Sequence, residues 1–173
     1  MGLIREIFGT APERPESRDQ KRETSNKRTL EIPQFPGMII PMLPIDDILP
    51  QLRATLASET TVLLQAPPGA GKTTRVPLAL LDCDWRGDGK ILMLEPRRIA
   101  ARSAARFMAR QLGEAPGETV GYRTRLDSKV SVRTRIEVVT EGILTRLIQQ
   151  DPALENYSVV LFDEFHELLI APK

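Results

Sequence analysis

The stretch that most restricts this chain is Ala66-Pro-Pro-Gly69-Ala70-Gly71-Lys72-Thr73-Thr74, a glycine-rich turn between a short apolar run and a helical pattern. The run before it, Thr61-Val-Leu-Leu-Gln-Ala66, reads as a buried strand, and a helix is expected from about Lys72. Such a turn is suited to phosphate. Gly69 and Gly71 let backbone N–H groups turn inward and approach phosphate oxygens closely, and the N-terminus of the following helix adds its positive end. Lys72 can neutralise the outer phosphates, and the Thr73 hydroxyl can join a Mg²⁺ shell. Ala66 stands where this pattern ordinarily begins with glycine, but that position opens the turn rather than touching phosphate.

The rest of the chain supplies a matching framework. Asp46 can cap a helix through Ile48, Leu52 and Leu56, with Pro50 in its first turn or kinking it. Beyond the loop come a strand Lys90–Glu95, a helix from about Ile99 to Leu112, a strand Arg135–Thr140, a helix Glu141–Gln150 and an apolar strand Ser158–Asp163. Continuous apolar strands alternating with helices indicate an α/β fold whose parallel sheet is covered on both faces. A length of 173 residues leaves room for about one domain, and 41% hydrophobic with 27% charged residues excludes global disorder.

Residues 1–37 are polar and poor in core-forming side chains, so they read as a tail outside the fold, with Met38 or Met42 a natural beginning. The run Met38–Ile45 is short and broken by proline, far below the roughly 20 residues that span a bilayer. The start lacks a signal-type apolar core, and Glu6 stands where a myristoylation motif needs Ser or Thr. One cysteine, Cys83, excludes an internal disulfide and reads as a small buried hydrophobe. A cytoplasmic protein is expected.

A second cluster, Asp163-Glu164-Phe165-His166, follows the last apolar strand, at the carboxyl edge where open parallel sheets bind ligands. An isolated acidic pair there is often a helix cap or a solvated turn. Beside a phosphate loop, Asp163 would hold Mg²⁺ and Glu164 would orient or deprotonate the water that attacks the γ-phosphate. His166 is the single histidine, and its neighbours favour a nucleotide-linked role.

Net charge is +1, so affinity for a polyanion must come from clustering. Between Arg97 and Arg146 eleven basic side chains face five acidic ones. Arg98, Arg102, Arg106 and Arg110 recur every four residues along one helix face, a pattern that a solvated face also explains. Arg97 and Arg98, directly after a strand end, point to phosphate contact.

Taken in order, Gly69–Thr74, Glu95–Ala101, Val120–Arg125, Thr140–Leu144 and Asp163–His166 resemble motifs I, Ia, a Val-Gly-Tyr element, Ib and II of the DEAH-type superfamily 2 helicases. The resemblance covers about residues 42–167. It implies a P-loop NTPase fold of RecA-like type, an ATP- and Mg²⁺-dependent helicase, and a single-stranded nucleic acid partner, RNA before DNA. By that likeness Arg97, Arg98, Thr140 and Glu141 would touch the nucleic-acid strand. Gly69, Ala70, Gly71, Lys72, Thr73 and Thr74 would hold the nucleotide, Thr73 and Asp163 the metal, and Lys72, Asp163, Glu164 and His166 the chemistry.

The likeness breaks after Glu167, where the family continues with Arg and this chain runs Leu168-Leu-Ile-Ala-Pro-Lys173. Motif III, the second RecA-like lobe and the arginines of motif VI are missing. The family strand leading into motif III would lie between the phosphate-loop strand and the motif II strand, so both are expected to expose unpaired edges. The expectation is an incomplete first lobe, residues 38–167, with a divergent end at 168–173 and little hydrolysis alone. Two other readings remain. One is a non-catalytic nucleotide or nucleic-acid binding module. The other is a small P-loop kinase, which would need a substrate lid after the acidic strand.

Overall fold

The computed structural model of the chain describes residues 43–163. The tail, Glu164, His166 and the divergent end therefore lie outside the described residues. Five strands form one sheet in the order β3-β2-β4-β1-β5. They are β1 (Lys90–Leu94), β2 (Val120–Arg123), β3 (Ser128–Lys129), β4 (Ile136–Val139) and β5 (Tyr157–Phe162). The first, second, fourth and fifth run parallel, while β3 folds back antiparallel on β2. The sheet is thus mixed at one edge rather than wholly parallel, because a short connection after β2 can return only as a hairpin.

Alternation along β1 divides the core. Ile91 and Met93 face a cluster with Leu56, Val76, Ala105 and Met108, drawn from helices α1 (Leu49–Ser58), α2 (Lys72–Ala79) and α3 (Arg98–Gln111). Leu92 and Leu94 face the opposite cluster with Val139, Leu144 and Phe162, covered by α4 (Glu141–Gln150). Both faces are therefore covered, as the continuous apolar strands require. On α3 the small side chains Ala101, Ala104, Ala105 and Ala109 are buried with Met108, which lets the helix lie close on the sheet.

Two further sequence expectations change. The strand expected at Thr61–Ala66 is not a strand: residues 61–67 carry no strand pairing. A strand exists only when a neighbour accepts its backbone hydrogen bonds, and β5 is the last strand of the described sheet on that side. Side-chain burial still holds the segment, since Leu64 is 6% exposed and Val62 and Ala66 pack on the core.

The expected cap Asp46 also does not cap α1; Ile48 occupies that position. A cap at 46 would require the N–H of residue 50 for the first helical bond, and Pro50 has none. The helix begins later, with Leu52 N–H donating to the Ile48 carbonyl at 2.9 Å and Pro50 in the first turn.

Candidate nucleotide site at the carboxyl edge of the sheet

Because β4, β1 and β5 are adjacent and parallel, the residues just past their ends share one edge. Thr140 and Glu141 follow β4, Glu95 to Arg98 follow β1, and Asp163 follows β5. Backbone bonds join these ends: Glu95 N–H donates to the Val139 carbonyl at 2.9 Å, and Asp163 N–H to the Leu94 carbonyl at 3.1 Å.

The phosphate loop meets this edge. Gly69 and Gly71 have φ of +77° and +96°, left-handed conformations that side chains resist, and Gly71 precedes the first residue of α2. Ala70 is buried at 2% exposure, and Thr74 N–H donates to the Gly71 carbonyl at 3.2 Å. The Thr73 hydroxyl donates to Asp163 Oδ2 at 2.5 Å, a contact across 90 positions of sequence. Lys72, Thr73 and Asp163 line one cleft, floored by Leu64, Val76 and Leu161. The Lys72 ammonium rests on the loop itself, donating to the Ala66 and Pro67 carbonyls, the latter at 3.2 Å. Four candidate residues from two distant motifs, Gly71, Lys72, Thr73 and Asp163, are therefore brought together.

The candidate nucleic-acid residues occupy the same edge but are not among the residues that line the cleft. Arg97 and Arg98 are exposed, with Arg97 N–H held by Glu95 Oε1 at 3.3 Å. Glu95, 4% exposed, is a buried carboxylate that the sequence reading passed over; its signal was its place at a strand end before Pro96. Thr140 is the N-cap residue of α4 and 7% exposed, and Glu141 is exposed in the first turn. Thr140 N–H donates to the Arg123 carbonyl at 3.4 Å.

Three of the five carboxylates counted in this stretch are paired with its arginines. Arg123 Nε lies 2.6 Å from Glu137 Oε1, a wholly buried carboxylate. That carboxylate also sits beside Tyr157, whose hydroxyl is pushed up by burial and by Glu137. Arg133 faces Glu118 at 3.6 Å, and Arg102 faces Asp127 at 3.5 Å. Arg106 and Arg110 stay exposed on α3 opposite its alanine face, as a solvated helix face requires, and Arg98 is exposed at the start of that helix. Cys83 is half-buried at the edge of the core rather than fully buried, and desolvation still raises its thiol, which favours the inert reading of that residue.

The loop after β2 is tied to the sheet by Tyr122, whose hydroxyl donates to Asp127 Oδ2 at 2.7 Å. This bond, followed by Arg102, holds the Asp127 carboxyl below its ordinary range. A depressed carboxyl contributes stability above its unfolded pKa of about 3.9 and loses it as pH falls through the lower folded value. In Tyr122→Phe, NMR titration should find the Asp127 pKa moved up toward the ordinary value, and less acid-induced loss of stability below about pH 4.

With that geometry in place, comparison with known proteins is decisive. Residues 48–171 match the DEAD/DEAH box helicase family. The chain belongs to this family. Over 125 residues it is 53% identical to the ATP-dependent RNA helicase HrpB of Escherichia coli, which covers 72% of this chain and 15% of HrpB. It is 35% identical to the ATP-dependent RNA helicase HrpA of Borreliella burgdorferi, again over 72% of this chain and 15% of the relative. A crystal structure of the E. coli DEAH/RHA helicase HrpB superposes with a TM-score of 0.69, covering 72% of this chain and 16% of that one. A second, titled E. coli DExH-box NTPase HrpB, gives 0.71 at 51% identity over 76% of this chain and 16% of that one. The described fold is that of a RecA-like helicase lobe, and the chain spans about one sixth of the relatives' length. No helix among the described residues is long and apolar enough to cross a membrane.

Proposed function

We propose that this chain is the ATP-binding portion of an RNA helicase, holding ATP with Mg²⁺ between the phosphate loop and the end of β5 and passing single-stranded RNA along the same sheet edge. The observation that carries the reading is the contact of Thr73 with Asp163 beside Lys72 in one cleft. A hydroxyl and a carboxylate are hard oxygen donors, which suits Mg²⁺ held by one or two protein oxygens together with phosphates. Thr73 and Asp163 would hold the ion, which when bound neutralises charge on the outer phosphates. Lys72 would bind those phosphates directly, and Gly69 to Thr74 would surround them with N–H donors. Glu164 would orient the attacking water, with His166 linked to the nucleotide; both assignments rest on motif position. The preference for RNA rests on the relatives being named ATP-dependent RNA helicases, and a cytoplasmic place of action belongs to the same proposal.

Among the described residues lining the cleft, the cation is Lys72. Phosphoryl transfer commonly uses an added arginine that contributes about 10³- to 10⁵-fold to the rate. The chain alone is therefore expected to bind ATP·Mg²⁺ and turn it over slowly. RNA-stimulated turnover at rates typical of P-loop enzymes carrying such an arginine would overturn this point.

RNA contact is tested by filter binding of a single-stranded oligonucleotide across salt concentration. Each phosphate contact to a single strand contributes a slope of about −0.7 in log affinity against log salt. The double variant Arg97→Ala, Arg98→Ala should reduce the slope by about 1.4 and weaken binding without regard to sequence. An unchanged slope would remove both arginines from the RNA path.

A further inference from the structure

Behind the phosphate loop lies the turn Leu43–Asp46. Ile45 is wholly buried, and its N–H donates to the Ala70 carbonyl at 3.3 Å. A Cβ built on Gly71 would meet Leu43 Cδ1 at 2.6 Å and Ile45 Cγ2 at 3.3 Å, so both side chains lie directly against the loop backbone. Asp46 closes the turn, its Oδ2 accepting the Leu43 N–H at 2.9 Å while its own N–H donates to the Leu43 carbonyl at 2.9 Å. The same Oδ2 faces Arg75 Nη2 at 3.5 Å, with the two side chains 21% and 16% exposed. Arg75 in turn donates its N–H to the Gly71 carbonyl at 2.8 Å. The turn therefore bonds the loop directly at the Ala70 carbonyl, and through the Arg75 side chain it also holds the first turn of α2, whose opening backbone bond is the one to Gly71.

The direction of these carbonyls matters for a loop that presents N–H groups. The described peptides are trans, and in a trans peptide the N–H points opposite to the carbonyl of the same unit. Drawing the Ala70 carbonyl back toward Ile45 directs the Gly71 N–H away from the turn, toward the concave side of the loop. A brace on the convex side thus sets the aim of a donor on the other.

We infer that the turn Leu43–Asp46 positions the phosphate loop for nucleotide, with Ile45 and Asp46 as positioning residues acting through Ala70, Gly71 and Arg75. This inference rests on the nucleotide reading proposed above.

The experiment titrates the full 173-residue chain with a fluorescent ADP analogue in Mg²⁺ and records melting temperature for each variant. Asp46→Asn should weaken ADP by about 5- to 10-fold, Asp46→Glu should recover most of that affinity, and Arg75→Gln added to Asp46→Asn should weaken it little further. Arg53→Gln is the structural control. Arg53 Nε donates to the Ala79 carbonyl at 2.6 Å, so its loss loosens α1 from the far end of α2 without touching the loop. This control should lower the melting temperature while leaving ADP affinity within about twofold. Binding abolished by Lys72→Ala but unchanged by Asp46→Asn would overturn the positioning role alone. Affinity that follows melting temperature through every variant, Arg53→Gln included, would overturn it as well. Binding indifferent to Lys72→Ala would overturn the nucleotide reading and this role together.

Discussion

Lys72→Ala is expected to weaken ATP and ADP by about 10- to 100-fold, the loss of a charge-assisted phosphate contact of roughly 1.5 to 3 kcal/mol. The fold should survive. Within the protein the ammonium donates to the Ala66 and Pro67 carbonyls, and Pro67 is exposed, so water can replace it there. Phosphate, an ionised acceptor, binds an ammonium more strongly than neutral carbonyls do, so a bound nucleotide would compete successfully for Lys72. Calorimetric titration with ATP and ADP checks the affinity, and a thermal scan checks the fold. Affinity within about twofold of the parent would sink the nucleotide site.

Gly121→Ala should produce the largest loss of stability among single methyl additions. Gly121 lies in the middle of β2, opposite Glu137 on β4. A Cβ there would stand 2.4 Å from the Lys129 carbonyl oxygen, 2.9 Å from Val130 Cγ1 and 3.1 Å from Thr134 Cγ2. The nearest obstacle is backbone, and β2 is held between β3 and β4, so the strand cannot step aside without breaking a ladder. Overpacking of this kind costs about 3 kcal/mol or somewhat more, roughly a 10 °C fall in melting temperature for a domain of this size. Gly142→Ala is the contrasting case. Nothing lies within 4 Å of its added Cβ, and it sits exposed in α4, where alanine is favoured by about 0.5 to 1 kcal/mol. Equal melting temperatures for the two variants would show that the hairpin does not cross β2 at this distance.

The parts legible from the residues are those governed by short-range rules. The phosphate loop was readable because two glycines, a lysine and a threonine must be adjacent to make the turn and its chemistry. Helices α3 and α4 were readable because apolar and small side chains recur at helical spacing, and their ends fall within a residue of the expected positions. Strands β2 and β3 were not assigned, since runs of four and two residues are too short to show a period. The pairing of charge was not legible: Arg102, Arg123 and Arg133 face carboxylates that lie 14 to 25 positions away in sequence, and no local pattern marks those pairs.

The chain's own order of residues settled the class of fold, the glycine turn before α2, the carboxylate Asp163 after β5 and the family, because each depends on neighbours within a few positions. Tertiary structure alone decided that Thr61–Ala66 forms no strand, that β3 turns back, that Asp46 braces Arg75 instead of capping a helix, and that Thr73 meets Asp163. Each of these depends on a partner brought from elsewhere in the chain, and pairing is set by which segments the packed sheet makes adjacent rather than by the preference of either segment alone.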